Sequence, residues 1–80
     1  MATLLKSDGS KQEGVNVSTL KSMQDMVGGY IEFIYLPTSK ILIVDEEGRL
    51  KNYPLNKQAS ELCGQLIVGD VILADYSEVN

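Results

Sequence analysis

An α+β fold, a small mostly antiparallel sheet with two short helices packed on one face, follows from three features of this 80-residue chain. Two apolar segments, Tyr30 to Leu36 and Lys40 to Asp45, flank Pro37-Thr38-Ser39 and read as an antiparallel strand pair around a short turn. Two stretches with helical spacing, 18–28 and 56–64, each open on a side chain suited to capping and close on a glycine. No repeat, linker or low-complexity segment divides the chain, so residues 1–80 form one α+β domain. A domain this short buries a modest fraction of its surface, which makes a homo-oligomer the expected state.

Residues 1–17 form an N-terminal hairpin. Asp8-Gly9 is a strong two-residue turn signal because both positions tolerate positive φ, and Thr3, Leu4, Leu5, Val15 and Val17 beside it suit strands. Ser18 offers an oxygen to cap the first helix. Leu20, Met23 and Val27 recur at i, i+3 and i+7 as one apolar stripe, and Gly28 ends the helix in the left-handed conformation while Gly29 releases the chain into a strand. Apolar side chains on both faces of Tyr30–Leu36 and Lys40–Asp45 predict central strands covered twice, once by the helices and once by another subunit. Glu46-Glu47-Gly48 makes a turn, and Arg49 to Tyr53 reads as a third strand that Pro54 terminates. Asn56 caps a second helix with Ala59, Leu62 and Cys63 inward and Gly64 closing it. Asp70 to Tyr76 is the final strand, and Ser77 to Asn80 should fray.

Composition excludes several classes of function. Cys63 stands alone, so an internal disulfide is impossible, and with no histidine the usual ligands of zinc, haem or copper are missing; no cofactor is expected. The absence of histidine also removes the commonest general base near neutral pH, which sets enzyme readings at a disadvantage. A net charge of −4, from scattered charges, argues against broad nucleic-acid binding, which needs a basic stripe. The apolar runs are far too short to span a bilayer, and the N-terminus has no signal-peptide pattern, so no membrane association and a cytoplasmic location are expected.

Three groups of residues carry binding chemistry. Gly28-Gly29 invites comparison with a phosphate loop, but it follows a helix C-terminus, the end that repels anions. What remains there is Glu32, an acceptor among apolar neighbours, with Tyr30 and Tyr35 offering ring faces; the plainer reading is a helix cap and an edge carboxylate paired with a lysine. Arg49, Lys51, Asn52, Tyr53 and Asn56 combine the only arginine with a lysine, two amides and an aromatic ring, the best local inventory for a nucleotide. Its plainer reading is a solvated strand followed by a cap. Asp45, Glu46 and Glu47 lack the spacing of a calcium loop and read as a charged turn.

The run Met26 to Glu32, the turn Asp45-Glu46-Glu47-Gly48 before Leu50-Lys51, Pro54-Leu55-Asn56 with Ala59, and Ile67-Val68-Gly69-Asp70 together resemble an uncharacterised family of small proteins, a domain of unknown function found on bacteriophage genomes and mobile elements. The resemblance covers residues 26–74, and it implies a setting rather than a reaction. In that setting a small acidic protein without catalytic machinery binds something. The first expectation is sequestration of a small nucleotide-like signalling molecule, countering host antiviral defence, in pockets built between subunits from Tyr30, Glu32, Arg49, Lys51, Tyr53 and Asn56. The alternative is a protein-interaction module that inhibits a host enzyme or defence protein by direct contact. A hydrolase using Glu32 or Asp70 as its base has little support in the sequence.

Overall fold

In a computed structural model, which describes residues 2–79, the elements are β1 (Ala2–Leu5), β2 (Lys11–Val15), α1 (Leu20–Val27), β3 (Ile31–Tyr35), β4 (Lys40–Asp45), α2 (Lys57–Cys63), β5 (Val71–Asp75) and α3 (Tyr76–Val79). The strands form one sheet in the order β2-β1-β5-β4-β3, antiparallel at every step. β5 reaches the centre after α2, pairing with β1 on one side and β4 on the other. That placement seals the N-terminal hairpin into the sheet.

The two helices lie on opposite faces, not on one as the sequence predicts. Met23 and Val27 of α1 bury with Leu4, Ile41, Ile43, Ile72 and Ala74. Ala59 of α2 buries with Leu5, Leu42, Val44, Ile67 and Val71. Alternation along β4 and β5 forces this result: Ile41 and Ile43 point one way, Leu42 and Val44 the other, all nearly solvent-free, and each face needs its own cover. At about 1.5–3 kcal/mol per fully buried large aliphatic side chain, this double-sided centre is the main source of stability. The second cover expected from another subunit is supplied by α2 and the 65–69 loop.

Several local expectations change as well. β3 is an edge strand, only partly buried, so β4 alone of the predicted pair is central. Thr19 rather than Ser18 caps α1, its Oγ1 accepting from Ser22 N; Ser18 instead binds the Asn16 side chain. The first hairpin turns over residues 6–10: Gly9 N donates to Lys6 O and Lys6 N to Ser10 O, a longer loop than Asp8-Gly9 alone implies. Leu62, expected inward on α2, is about half exposed, while Ala59 is fully buried. Tyr76, expected to end the last strand, and residues 77–79, expected to fray, form a short helix; Asn80 lies outside the described residues.

The largest correction falls on Arg49 to Tyr53, which is a series of turns and not a strand. Gly48 N donates to Asp45 O, Asn52 N to Arg49 O and Tyr53 N to Gly48 O, and Asn52 sits at a left-handed φ of 57°. The amides of Lys51, Asn52 and Tyr53 are thus spent on carbonyls inside the loop and not on a neighbouring strand.

Candidate functional site

The loop after β4 contains two adjacent sites of different kinds. The first is a closed polar knot around Asp45. The Asp45 side chain is 2% exposed, and its Oδ1 accepts from Glu47 N at 2.9 Å. Oδ2 accepts from Lys51 Nζ at 2.8 Å and from Tyr53 Oη at 3.0 Å. Lys51 also donates to Gly28 O at 3.1 Å, placing a cation on the carbonyl end of α1, and sits 5.8 Å from the Tyr53 ring centroid. Burial alone would raise the Asp45 pKa, but the bonds from Lys51, the Glu47 amide and Tyr53 together hold it below the ordinary carboxylate value. The Asp45 carboxylate in turn raises the Lys51 pKa.

Glycines make this knot possible. A Cβ on Gly28 would stand 2.5 Å from Tyr53 Oη, one on Gly29 2.5 Å from Lys51 Nζ, and one on Gly69 2.5 Å from the Tyr53 ring. Gly28 and Gly69 also have positive φ, 99° and 78°. The Gly28-Gly29 pair is therefore the floor on which Lys51 and Tyr53 rest. Next to it, Asn56 is solvent-free: its Oδ1 accepts from Ala59 N, capping α2, while Nδ2 donates to Leu5 O at 2.9 Å and Gly69 O at 2.8 Å. One amide thus ties β1, α2 and the approach to β5.

The second site is an open cleft of about 200 Å³ between the end of β3–β4 and the 65–68 loop. Glu32, Ile34, Glu46, Arg49, Leu50 and Leu66 line it. Arg49 is exposed, with Nη2 donating to Leu66 O at 3.3 Å, and Leu50 and Leu66 are 81% and 64% exposed at the rim. The cleft thus has two free carboxylates, one guanidinium and an apolar wall.

Of the six residues expected to bind a ligand, only Glu32 and Arg49 line this cleft together. Tyr53 borders a separate hollow with Met26 and Asp70, and Tyr30 a third with Gln24 and Asp25; neither hollow has a basic side chain. Lys51 and Asn56 are committed to Asp45, Gly28, Leu5 and Gly69. Sequence reading passed over Asp45 as the knot's centre and over Leu50 and Leu66. A strand over Arg49 to Tyr53, as the sequence reads, conceals the loop that brings Lys51 and Tyr53 onto Asp45, and exposed leucines carry no signal until the fold shows that they adjoin a cleft. Among the described residues no group of three acids or cysteines is placed to hold a metal ion, and no helix is long and apolar enough to cross a membrane.

Fold and site together define a small α+β domain: one five-stranded antiparallel sheet between two short helices, with a polar knot and a cleft at one end. The chain belongs to the family described as the domain of unknown function DUF3846, whose model matches residues 1–79. That span takes in the N-terminal hairpin as well as the 26–74 segment on which the sequence resemblance rests. No curated protein and no solved structure matches the chain.

Proposed function

We propose that this protein is a non-catalytic binding module whose cleft beside Arg49 receives a partner protein through an apolar side chain flanked by a cation. The observation that carries the reading is the make-up of the cleft: Glu32 and Glu46 outnumber Arg49 around an apolar wall, and Leu50 and Leu66 project into solvent at its rim. Two carboxylates favour a lysine or arginine on the partner, and Arg49 favours a neighbouring carboxylate or carbonyl. The volume of about 200 Å³ suits one or two side chains and falls below the roughly 300–1,000 Å³ of ordinary small-molecule sites. A phosphate-bearing ligand would meet two carboxylates there, which argues against nucleotide sequestration in this cleft. In the phage or mobile-element setting implied by the sequence resemblance, the partner is a basic segment of a host enzyme or defence protein in the host cytoplasm, inhibited by contact.

Selection of a random peptide library on the purified full chain tests this. Enriched peptides should pair a bulky apolar residue with lysine or arginine, lose binding at least tenfold on Leu66→Asp, and weaken with salt, a dependence that shrinks as Glu32→Gln and Glu46→Gln are added. Enrichment indifferent to these substitutions sinks the reading. So does a melting temperature raised by nucleotides or cyclic dinucleotides through Arg49, which would restore the sequestration reading.

A further inference from the structure

The sheet has two free edges, and they are built differently. β2 is exposed, carries Lys11 and Glu13, and is interrupted at Gly14, where φ is 73° and the register with β1 shifts; all three features discourage pairing with another strand. β3, Ile31–Tyr35, has no proline, lysine, glycine or register shift. We propose that β3 is the seam of a homodimer, pairing antiparallel with β3 of a second copy about Phe33.

Backbone geometry fixes the register. Leu36 N donates to Lys40 O and Glu46 N to Tyr30 O, so the even-numbered residues along this strand direct their amides and carbonyls at β4. The outward groups are those of Ile31, Phe33 and Tyr35. An antiparallel copy centred on Phe33 sets Phe33 against its own counterpart and Ile31 against Tyr35 of the partner subunit, and each opposed pair exchanges both hydrogen bonds.

Side chains explain why the occupant is this same strand. Both apolar clusters are unfinished at this edge: Ile31 and Phe33 are only partly buried against the α1-side cluster, Ile34 and Leu36 against the α2-side cluster. A copy of β3 presents the same sets on the same faces, so a single pairing extends both cores at once. Tyr35 is 64% exposed and already meets Phe33 and Tyr76 edge-on, leaving ring surface to cover Ile31 of the partner subunit. Glu32 falls opposite Ile34 of the partner subunit rather than opposite another Glu32, which offsets the like charges. The two-fold axis then runs perpendicular to the sheet, so both α2 helices share one side, and each cleft gains a wall from the facing strand.

Sedimentation velocity and native mass spectrometry of the full chain should give twice the 8.8 kDa protomer mass. Tyr35→Pro removes an outward amide without removing a bond to β4; it should raise the dimer dissociation constant about tenfold or more with unchanged circular dichroism. In a Cys63→Ser background, Phe33→Cys should cross-link on mild oxidation, because opposed hydrogen-bonded residues lie about 5.5 Å apart between Cα atoms, within disulfide reach. Lys11→Cys, on the other edge, should not. A monomer at the highest soluble concentration, or cross-linking as fast at Lys11 as at Phe33, overturns the proposal. Leu66→Asp leaves the β3 backbone untouched, so the cleft reading and the dimer seam fail separately.

Discussion

Two halves of one loop, separated by a few residues, put their polar groups to opposite uses. Asp45, Lys51, Tyr53 and Asn56 are bonded to one another, to backbone or to the end of α1, and no buried side-chain nitrogen or oxygen among the described residues lacks a partner. Glu46, Arg49 and Leu50 face solvent, with one bond from Arg49 to Leu66 O. In so small a domain, the polar residues that reach the interior are consumed in connecting elements that its limited core holds weakly. Those left for recognition are the ones the fold does not use. Substitutions in the knot should therefore change stability, and substitutions in the cleft should change binding.

The widest separation is expected at Asn56. Asn56→Asp keeps the size and the cap acceptor, but it removes both Nδ2 donors and aims a carboxylate at Leu5 O and Gly69 O in a solvent-free site. A loss of about 3 kcal/mol or more follows from an unpaired buried group next to orphaned carbonyls, read as a lower urea midpoint. Stability within about 0.5 kcal/mol of the parent chain, the range of ordinary surface changes, would mean the knot does not hold these elements together.

Glycine substitutions sharpen the same comparison within the fold. Gly69→Ala combines positive φ with a Cβ 2.5 Å from Tyr53 Cδ2 and 3.1 Å from Cγ, near the root of a ring fixed by Asp45, so it should cost about 3 kcal/mol. Gly9→Ala has a positive φ of 94° but nothing within 4 Å, and should cost about 1 kcal/mol. Equal losses in thermal unfolding would show that backbone conformation alone, and not the packing of Tyr53 on glycine, sets the requirement at Gly69.

How far the sequence reveals this division depends on sequence distance. The strand pair, both helices and the capping roles of Gly28, Asn56 and Gly64 are local, and they are legible because capping and alternation act over a few residues. The second role of Asn56 is not, because Leu5 lies 51 positions away and only the insertion of β5 between β1 and β4 brings them together. Arg49 to Tyr53 misleads for a related reason: alternating side chains suit a strand, but the Asp45 carboxylate gathers Lys51 and Tyr53 back on themselves. Gly28 reads correctly as the cap of α1, but a second constraint on Gly28-Gly29, room for Lys51 and Tyr53, depends on contacts more than 20 residues away in sequence.

Acid should weaken the fold through the knot. The Asp45 pKa is held below its ordinary value in the folded chain, so the native state binds fewer protons than the unfolded state as pH falls below about 4. The stability Asp45 contributes is complete above that range and is lost as pH drops through the folded-state pKa. Asp8 and Asp75 are also lowered, by Ser10 and Lys40 respectively, so the wild-type slope alone does not single out Asp45. Asp45→Asn should lower the melting temperature at pH 7 and flatten its decline between pH 4 and pH 2 relative to wild type. Parallel curves would remove Asp45 from the acid response.

The smallest expected effect on stability decides whether the cleft is a recognition site. Arg49→Ala removes one exposed bond to Leu66 O, and Leu66→Asp replaces a side chain that is already mostly in solvent. Each should shift folding by about 0.5 kcal/mol or less, because neither opens a cavity nor strands a buried polar group. Leu66→Asp should nevertheless abolish capture of selected peptides, since it removes apolar contact and sets a hydrated charge where the partner's apolar side chain would pack, while Arg49→Ala should alter which residues flank the cation. The two variants therefore separate the apolar wall from the charge pattern. Intact folding together with intact capture in both would place recognition elsewhere on the surface and leave the exposure of Leu50 and Leu66 without a role in binding.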